Sequence, residues 1–233
     1  EAHIEDLAIG FESPIDEELR AMRKGYLSRD MIRWTRTLHR YGFYIHGMFI
    51  FGYPKKTAPG HSLTLEEKTR LFYTFIKKAR IDTVQILLTV PLPGTELRKR
   101  LEKEGRVYSQ EHIGWEYYDG QFPLFEPDDN TTSEELQKAA KRIMSKIYSP
   151  RRLLDIIINI FIHFPFMVFL STVSIVSLRV KYIIKAFIRW KQGYFRNSLV
   201  RFGGYILLKK WVKVFNKDKF LESLARARVK DSF

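Results

Sequence analysis

The sequence predicts an α/β protein in which a parallel sheet is followed by a mostly α-helical, basic and apolar tail. Two observations predict the sheet. Short apolar runs alternate with amphipathic helical patterns over residues 1–104, and these runs lack polar alternation. The order strand, helix, strand is typical of right-handed crossover units. The tail is predicted by a change of character at Pro150, after which apolar and basic residues dominate.

The predicted elements can be placed along the chain. Strands are expected over residues 4–11, 44–51 and 82–90, and helices over residues 16–23, 28–41, 64–78, 94–104 and 132–147. Ser28 and either Thr132 or Ser133 are candidate amino-terminal caps, and Gly25 is a candidate helix stop. Residues 105–131 are rich in aromatic and acidic side chains and are expected to be irregular.

The charge distribution divides the chain into two predicted domains, residues 1–149 and residues 150–233. The formal charge is +14, but residues 1–150 hold 23 Lys and Arg against 22 Asp and Glu, whereas residues 151–233 hold 17 against 4. A basic block of this kind suits nucleic acid or anionic lipid. The sequence has no cysteine, which excludes disulfides and thiolate metal sites within it. Its six histidines form no i, i+4 pair, so no metal site is predicted.

Three predicted strand ends carry residues suited to a ligand, because ligands of parallel sheets gather at the carboxyl ends of the strands. At residues 10–13, Gly-Phe-Glu-Ser, a carboxylate and a hydroxyl suit ribose hydroxyls or an ammonium group. At residues 47–54, Gly-Met-Phe-Ile-Phe-Gly-Tyr-Pro, the glycines would let a flat ligand approach the backbone. At residues 89–95, Thr-Val-Pro-Leu-Pro-Gly-Thr, a helix start suits an anion or a polar ligand.

These segments, together with Met-Arg-Lys-Gly at residues 22–25 and Glu-Gly-Arg at residues 104–106, resemble the second half of the radical S-adenosylmethionine (SAM) core. The resemblance covers roughly residues 1–150. It is strongest for the branch whose members often carry an amino-terminal cobalamin-binding domain. It implies a partial (β/α) barrel in which the three predicted strands are strands four to six, with SAM lying across their carboxyl ends.

The resemblance implies roles for three polar residues near the first strand end. Glu12 and Ser13 fall where a polar residue of strand four reaches the SAM ribose or amino acid moiety. Lys24 falls where relatives often place a basic residue near the SAM carboxylate. All three are therefore predicted to bind SAM, and no catalytic residue is assigned.

The resemblance also implies an adenine site built by the other two strand ends. Phe49, Ile50 and Gly52 fall on the strand-five segment that packs on adenine. Val90 and Pro91 fall on the strand-six segment whose backbone borders the adenine edge. These five residues complete the predicted cofactor site.

Two features depart from the family pattern. Lys55 and Lys56 stand before Thr57, where an acidic residue is common, so Lys56 receives no role. The CxxxCxxC motif that binds the 4Fe–4S cluster is absent, and the chain opens on Glu1. We therefore expect a fragment that is inactive alone, with a missing amino-terminal half that supplies the cluster and any cobalamin-binding domain.

The tail combines a long uncharged stretch with a basic helical pattern. Residues 156–178 are 23 residues without a formal charge, flanked by basic residues on both sides. Beyond them, Lys181, Lys185 and Arg189 recur every four residues beside large apolar side chains, as in interfacial helices. Attachment to an anionic membrane surface is the leading interpretation, which predicts a cytoplasmic protein held peripherally on the inner face of the membrane. A soluble helical appendage and RNA binding are the alternatives.

The predicted function is that of a radical SAM enzyme, with cobalamin-assisted methylation as one option, acting on a lipid-like or other membrane-associated small molecule. The alternatives are an RNA-modifying radical SAM enzyme and a non-catalytic module associated with membrane or RNA. Trp115, Tyr117 and Tyr118 are expected either to cover the open side of the barrel near the substrate or simply to plug it.

Overall fold

A computed structural model describes residues 6–54, 63–110, 113–128 and 131–149, together with eight single positions. Those positions are Ile4, Leu154, Ile158, Phe169, Gly203, Ile206, Leu224 and Ala225. The predicted tail and the segment that holds Lys55 and Lys56 therefore lie almost entirely outside the described residues. The boundary predicted at residues 149 and 150 stays a prediction for the same reason.

The fold is mixed α/β and is built on a three-stranded parallel sheet, as predicted. Strands β1 (Asp6–Glu12), β2 (Tyr44–Phe51) and β3 (Thr83–Leu88) lie in the order β1-β2-β3. The helices are α1 (Asp16–Ala21), α2 (Ser28–Arg40), α3 (Leu65–Lys78), α4 (Glu96–Lys103) and α5 (Ser133–Ile147), with a 3-10 turn at Trp115–Tyr117. Closure of this sheet into a partial barrel stays a prediction.

Two helices begin with side chains that satisfy their own first turn. The Thr64 hydroxyl accepts a hydrogen bond from the Glu67 amide at 3.2 Å, and the Glu67 carboxylate accepts one from the Thr64 amide at 2.8 Å. The same arrangement at Thr132 begins α5 and confirms the first of the two predicted caps. Ser28 differs from the prediction because it is the first helical residue of α2, and its amide donates to the Asp16 carboxylate at 2.8 Å.

One face of the sheet is covered by helices and holds an aromatic core. The Phe11 ring of β1 stacks on the Phe49 ring of β2, with centroids 5.6 Å apart. From α3, Phe72 and Phe75 meet the Phe49 ring edge-on at 5.9 and 6.0 Å. Helix α5 completes this core with Leu136, Ile143 and Ile147, all buried. Burial of these large rings is the main source of stability for the sheet.

The other face of the sheet is only half-buried. On β2, His46, Met48 and Ile50 alternate with the buried residues and therefore point away from the helices. On β3, Gln85 and Leu87 lie in register with Met48 and Ile50, so they share this face. We call these five residues the open face. The sequence showed no such alternation because Met, Ile and Leu are as apolar as the buried residues between them.

The outer edge of β3 is paired with a side chain and a loop. The Tyr148 hydroxyl accepts from the Val84 amide at 2.8 Å and donates to the Val84 carbonyl at 2.9 Å. The Leu88 amide donates to the Gly120 carbonyl at 2.7 Å. The Val84 amide and carbonyl and the Leu88 amide, which face the outer edge, are therefore satisfied within this chain.

The irregular segment 105–131 forms a second small core beside this edge. Tyr117 is buried and meets the Phe122 ring edge-on at 5.0 Å, whereas Trp115 is 62% exposed. The segment approaches the sheet at Gly120, where an added Cβ would lie 2.9 Å from Cβ of Leu87. Tyr117 belongs to this second core, and the choice between covering and plugging the barrel stays a prediction. Among the residues that the structure describes, no helix is long and apolar enough to cross a membrane.

Candidate functional site

Glu12 ends β1 in a conformation that is unusual for a residue with a side chain. Its φ angle is +63°, in the left-handed region, and the register of β1 against β2 shifts between Gly10 and Glu12. An added Cβ at Gly10 would lie 2.9 Å from Oε1 of Glu12, so a side chain there would displace the carboxylate from this position. The bulge and the glycine together place this carboxylate over the end of the strand. Backbone strain of this kind is common at functional sites.

Lys24 reaches the same carboxylate from the loop after α1. Its Nζ donates to Oε1 of Glu12 at 3.0 Å, and the two side chains are 34% and 19% exposed. The hydrogen bond to Glu12 raises the pKa of Lys24 above its ordinary value. The Lys24 amide also donates to the Leu19 carbonyl at 2.9 Å, which turns the chain back towards β1. The structure thus brings together two residues that the sequence assigned separately to SAM.

Tyr26 holds the backbone beneath this pair. Its hydroxyl donates to the Gly10 carbonyl at 3.1 Å, and its ring meets Trp34 of α2 edge-on at 5.3 Å. Burial raises the pKa of Tyr26, which keeps the hydroxyl protonated and able to donate. Sequence reasoning missed Tyr26, although its place in the loop after Lys24 was a signal.

Ser13 lies in a buried polar cluster at the start of α1. Ser13 is fully buried, and its hydroxyl donates to Oε2 of Glu18 at 2.5 Å while it accepts from the Ile15 amide at 3.1 Å. Nζ of Lys68 lies 3.4 Å from Oε1 of Glu18, which is close enough for an ion pair but outside hydrogen-bond geometry. A contact between Ser13 and a ligand would therefore cost the hydrogen bond to Glu18. Glu18 and Lys68 were both missed from the sequence.

Burial governs the chemistry of this cluster. Glu18 is 7% exposed, and the removal of water raises the pKa of its carboxyl group above the ordinary value, with the Lys68 ammonium opposing the shift. The cluster fixes the start of α1 against α3. It thereby holds the loop that carries Lys24.

The three residues predicted at the second strand end are divided between the two sides of the sheet. Phe49 is 1% exposed and belongs to the aromatic core beneath the helices, so its ring does not face the open side. Ile50 belongs to the open face and is the one of the three whose side chain points there. Gly52 has a φ angle of +78°, and an added Cβ would lie 2.8 Å from Cδ1 of Leu136. The packing of α5 therefore explains why residue 52 is a glycine.

Val90 and Pro91 lie at the third strand end, and their backbone carbonyls are engaged within the chain. The Val90 carbonyl accepts from the Leu92 amide at 3.0 Å, and the Pro91 carbonyl accepts from the Arg98 guanidinium at 3.5 Å. The same guanidinium donates to the Tyr118 hydroxyl at 3.1 Å. Arg98 therefore joins this strand end to the irregular segment.

A pocket of about 260 Å³ lies on the helix side of the same sheet edge. It opens between the first turns of α3 and α5, and its lining includes Gly52, Tyr53, Lys68, Asp128 and Leu136. Lys68 is the link between this pocket and the buried Glu18. The pocket does not include Glu12 or Lys24, so the two features are separate parts of one sheet edge.

The described residues hold no group of three or more His, Asp or Glu side chains that could bind a metal ion. His46, which could have faced a ligand, lies on the open face with Nδ1 3.2 Å from the Thr83 hydroxyl. The absence of cysteine from all 233 residues means that this chain supplies no thiolate to an iron–sulfur cluster.

Comparison with known proteins gives one distant similarity, to a methyltransferase. No protein-family model matches this chain. Over 159 residues the chain is 26% identical to a protein of Pyrococcus horikoshii named as an uncharacterized methyltransferase. This distant similarity suggests a methyltransferase-like family. The aligned part is 68% of this chain and 32% of that relative, so the chain spans about a third of the relative's length. The radical SAM resemblance stays a prediction.

Proposed function

We propose that this chain is part of a SAM-dependent methyltransferase with a radical SAM core, and that Glu12 and Lys24 bind the amino acid end of SAM. The observation that carries the proposal is the Glu12–Lys24 pair at the carboxyl end of β1, 3.0 Å apart and held by strained backbone. The distant similarity to a methyltransferase supports the reaction class. The ordered motifs at the three strand ends support the radical SAM core.

The two side chains fit the charges of SAM. The amino acid end of SAM is a zwitterion, so its ammonium group matches the Glu12 carboxylate and its carboxylate matches the Lys24 ammonium. When SAM binds, the ion pair between Glu12 and Lys24 is replaced by one contact from each residue to SAM. Each of the four charges then still has an opposite charge beside it at this half-buried position. The hydrogen bond from Lys24 holds the Glu12 carboxylate in the space that Gly10 leaves beside it. The chain's own contribution is thus to bind and orient SAM.

The adenine end of SAM fits the apolar part of the open face. Met48, Ile50 and Leu87 present a half-buried apolar surface in register on neighbouring strands. An aromatic base gains from burial against such a surface. In this proposal Ile50 contacts adenine, while Phe49 supports β2 from beneath.

The iron–sulfur cluster does not fit the residues of this chain, because the chain has no cysteine. In the proposal the cluster and any cobalamin are bound by residues outside these 233, in an amino-terminal half of the same protein. The sequence of the native gene upstream of Glu1 tests the proposed amino-terminal half directly. A CxxxCxxC motif encoded upstream of Glu1 supports it, and an open reading frame without that motif contradicts the radical mechanism.

The composition of the tail supports a proposal for the substrate and the location of the enzyme. Residues 156–178 carry no formal charge, and residues 151–233 hold 17 Lys and Arg against 4 Asp and Glu. We propose that the enzyme works in the cytoplasm, held peripherally on the inner face of the membrane, and methylates a lipid-like substrate.

SAM affinity tests the proposed site. We expect Glu12→Gln and Lys24→Gln each to weaken SAM binding about tenfold or more in isothermal titration calorimetry, because each leaves one charge of the zwitterion unpaired. The matched controls are Glu17→Gln and Arg20→Gln, which break an exposed pair on α1 with side chains 79% and 62% exposed. Equal affinity in all four variants and the unaltered protein would remove the site.

A further inference from the structure

Helix α2 carries four arginines along its solvent side. Arg29, Arg33, Arg36 and Arg40 are all exposed and are spaced by four, three and four residues. At 100° per residue they lie within a sector of about 60°, and they extend over about 17 Å of the helix. The opposite side of α2 holds the buried Met31 and packs on the sheet. We call the four residues the arginine ridge.

The arginine ridge is a local excess of charge in a nearly neutral part of the chain. Residues 1–150 hold 23 Lys and Arg against 22 Asp and Glu, yet α2 has four arginines and one acid. That acid, Asp30, accepts from the Leu27 amide at 3.1 Å and lies 3.5 Å from the Arg33 guanidinium. The pairing offsets part of the Arg33 charge, and the helix keeps three more Arg than Asp. The spacing places these cations on one exposed line, which favours a polyanionic partner.

Guanidinium groups suit phosphate as a ligand, because they bind phosphate oxygens in pairs of hydrogen bonds. The ridge therefore presents four phosphate-binding cations along one side of α2. Trp34 is 40% exposed and Tyr41 is 78% exposed, but both lie about 80° or more around the helix from every arginine. These aromatics are therefore not part of the ridge.

We infer that the arginine ridge binds the headgroup phosphates of an anionic lipid bilayer. Lipid is favoured over nucleic acid because the same chain carries a stretch of 23 residues without formal charge inside its basic tail, a composition typical of interfacial segments. Helix α2 then provides a second membrane contact on the folded domain itself. This inference does not depend on methyl transfer, but its choice of lipid rests on the membrane attachment proposed for the tail.

Vesicle co-sedimentation of the full chain tests the inference. The ridge variant carries Arg→Gln at residues 29, 33, 36 and 40. The control variant removes the same charge from exposed cations elsewhere, at Arg70, Lys78, Lys99 and Lys103. With phosphatidylcholine vesicles that contain phosphatidylserine, we expect the ridge variant to lose about tenfold or more of its partition coefficient, since each cation at such a surface adds about fivefold. The control variant should stay within about twofold of the unaltered chain, because cations beyond a Debye length of the bilayer are screened.

Three outcomes would overturn the inference. One is equal loss in the ridge and control variants, which would mean that only total charge matters. Another is no loss in the ridge variant. The third is single-stranded RNA binding that falls in the ridge variant while vesicle binding does not, which would assign the ridge to RNA. Thermal unfolding of each variant is measured first, and the double variant Arg33→Gln and Arg36→Gln replaces the ridge variant if the latter unfolds early.

Discussion

Oε1 of Glu12 accepts a hydrogen bond from Nζ of Lys24 at 3.0 Å, although Glu12 holds a left-handed backbone conformation with a φ angle of +63°. A glycine would adopt that conformation without strain. The chain instead places a carboxylate there, beside a glycine that makes room for it. Strained backbone conformations that neighbouring residues hold in place are common at binding sites, and Glu12 fits this pattern.

The strain at Glu12 can be measured by comparing two substitutions. Both Glu12→Gly and Glu12→Ala remove the carboxylate, but only glycine is relaxed at a positive φ angle. We expect Glu12→Gly to be more stable than Glu12→Ala by about 1 kcal/mol in urea unfolding. Equal stability of the two variants would mean that the backbone at this position is unstrained.

Gly52 is predicted to be intolerant of any side chain. Its φ angle of +78° and the 2.8 Å approach of an added Cβ to Leu136 act together. We expect Gly52→Ala to lower the free energy of unfolding by about 2 to 4 kcal/mol. The control is Gly94→Ala, where φ is +80° but no atom lies within 4 Å of an added Cβ, and where only about 1 kcal/mol should be lost. A similar loss at both positions would exclude the Leu136 contact as a cause.

Tyr148 is predicted to stabilise the outer edge of β3 through its hydroxyl. Tyr148→Phe removes the partner of both the Val84 amide and the Val84 carbonyl, which are buried. We expect a loss of about 1 to 3 kcal/mol in the free energy of unfolding. The control is Tyr41→Phe, because Tyr41 is 78% exposed. It should change the free energy of unfolding by less than about 0.5 kcal/mol. If the two variants are equally stable, the edge does not depend on Tyr148.

The buried Glu18 predicts a pH dependence of stability. Burial raises its pKa above the ordinary value of 4.5, so the folded state holds this proton at pH values where the unfolded chain has lost it. Its contribution to stability therefore falls as pH rises through the window above 4.5. Glu18→Gln removes this titration and keeps a hydrogen-bonding side chain beside Ser13.

The measurement is the difference in the free energy of unfolding between the unaltered chain and Glu18→Gln at a series of pH values. We expect the unaltered chain to lose stability relative to the variant as pH rises. The neighbouring Glu17→Gln, at a side chain that is 79% exposed, should show no such slope. A flat difference for Glu18→Gln, or one that rises with pH, would contradict the account of this cluster.

Local patterns in the sequence predicted most of the fold. The bounds of β2 were predicted to the residue because a run of apolar side chains, interrupted only at His46 and Gly47, lies between two turns. Thr132 was recognisable as a cap because Glu135 follows it in the first turn of α5. Ser28 was misplaced because its amide is satisfied by Asp16, a residue that is distant along the chain.

The site was predicted less completely, because its geometry depends on contacts between elements. Glu12 and Lys24 were both named, but their direct pairing required the turn of the chain after α1. The bond from Ser13 to Glu18 and the contact of Gly52 with α5 are tertiary, and no spacing in the sequence encodes them. Phe49 was assigned to adenine because the sequence does not show which face of β2 the helices cover.

The most direct test of the central claim compares two ligands that differ in the amino acid end. SAM carries that end on a sulfonium, whereas methylthioadenosine has the same adenosine with a neutral thioether sulfur and lacks that end. We expect Lys24→Gln to lower the affinity for SAM about tenfold or more and to leave the affinity for methylthioadenosine unchanged in equilibrium dialysis. An equal loss for both ligands, or no loss for SAM, would contradict the claim that Glu12 and Lys24 bind the amino acid end of SAM.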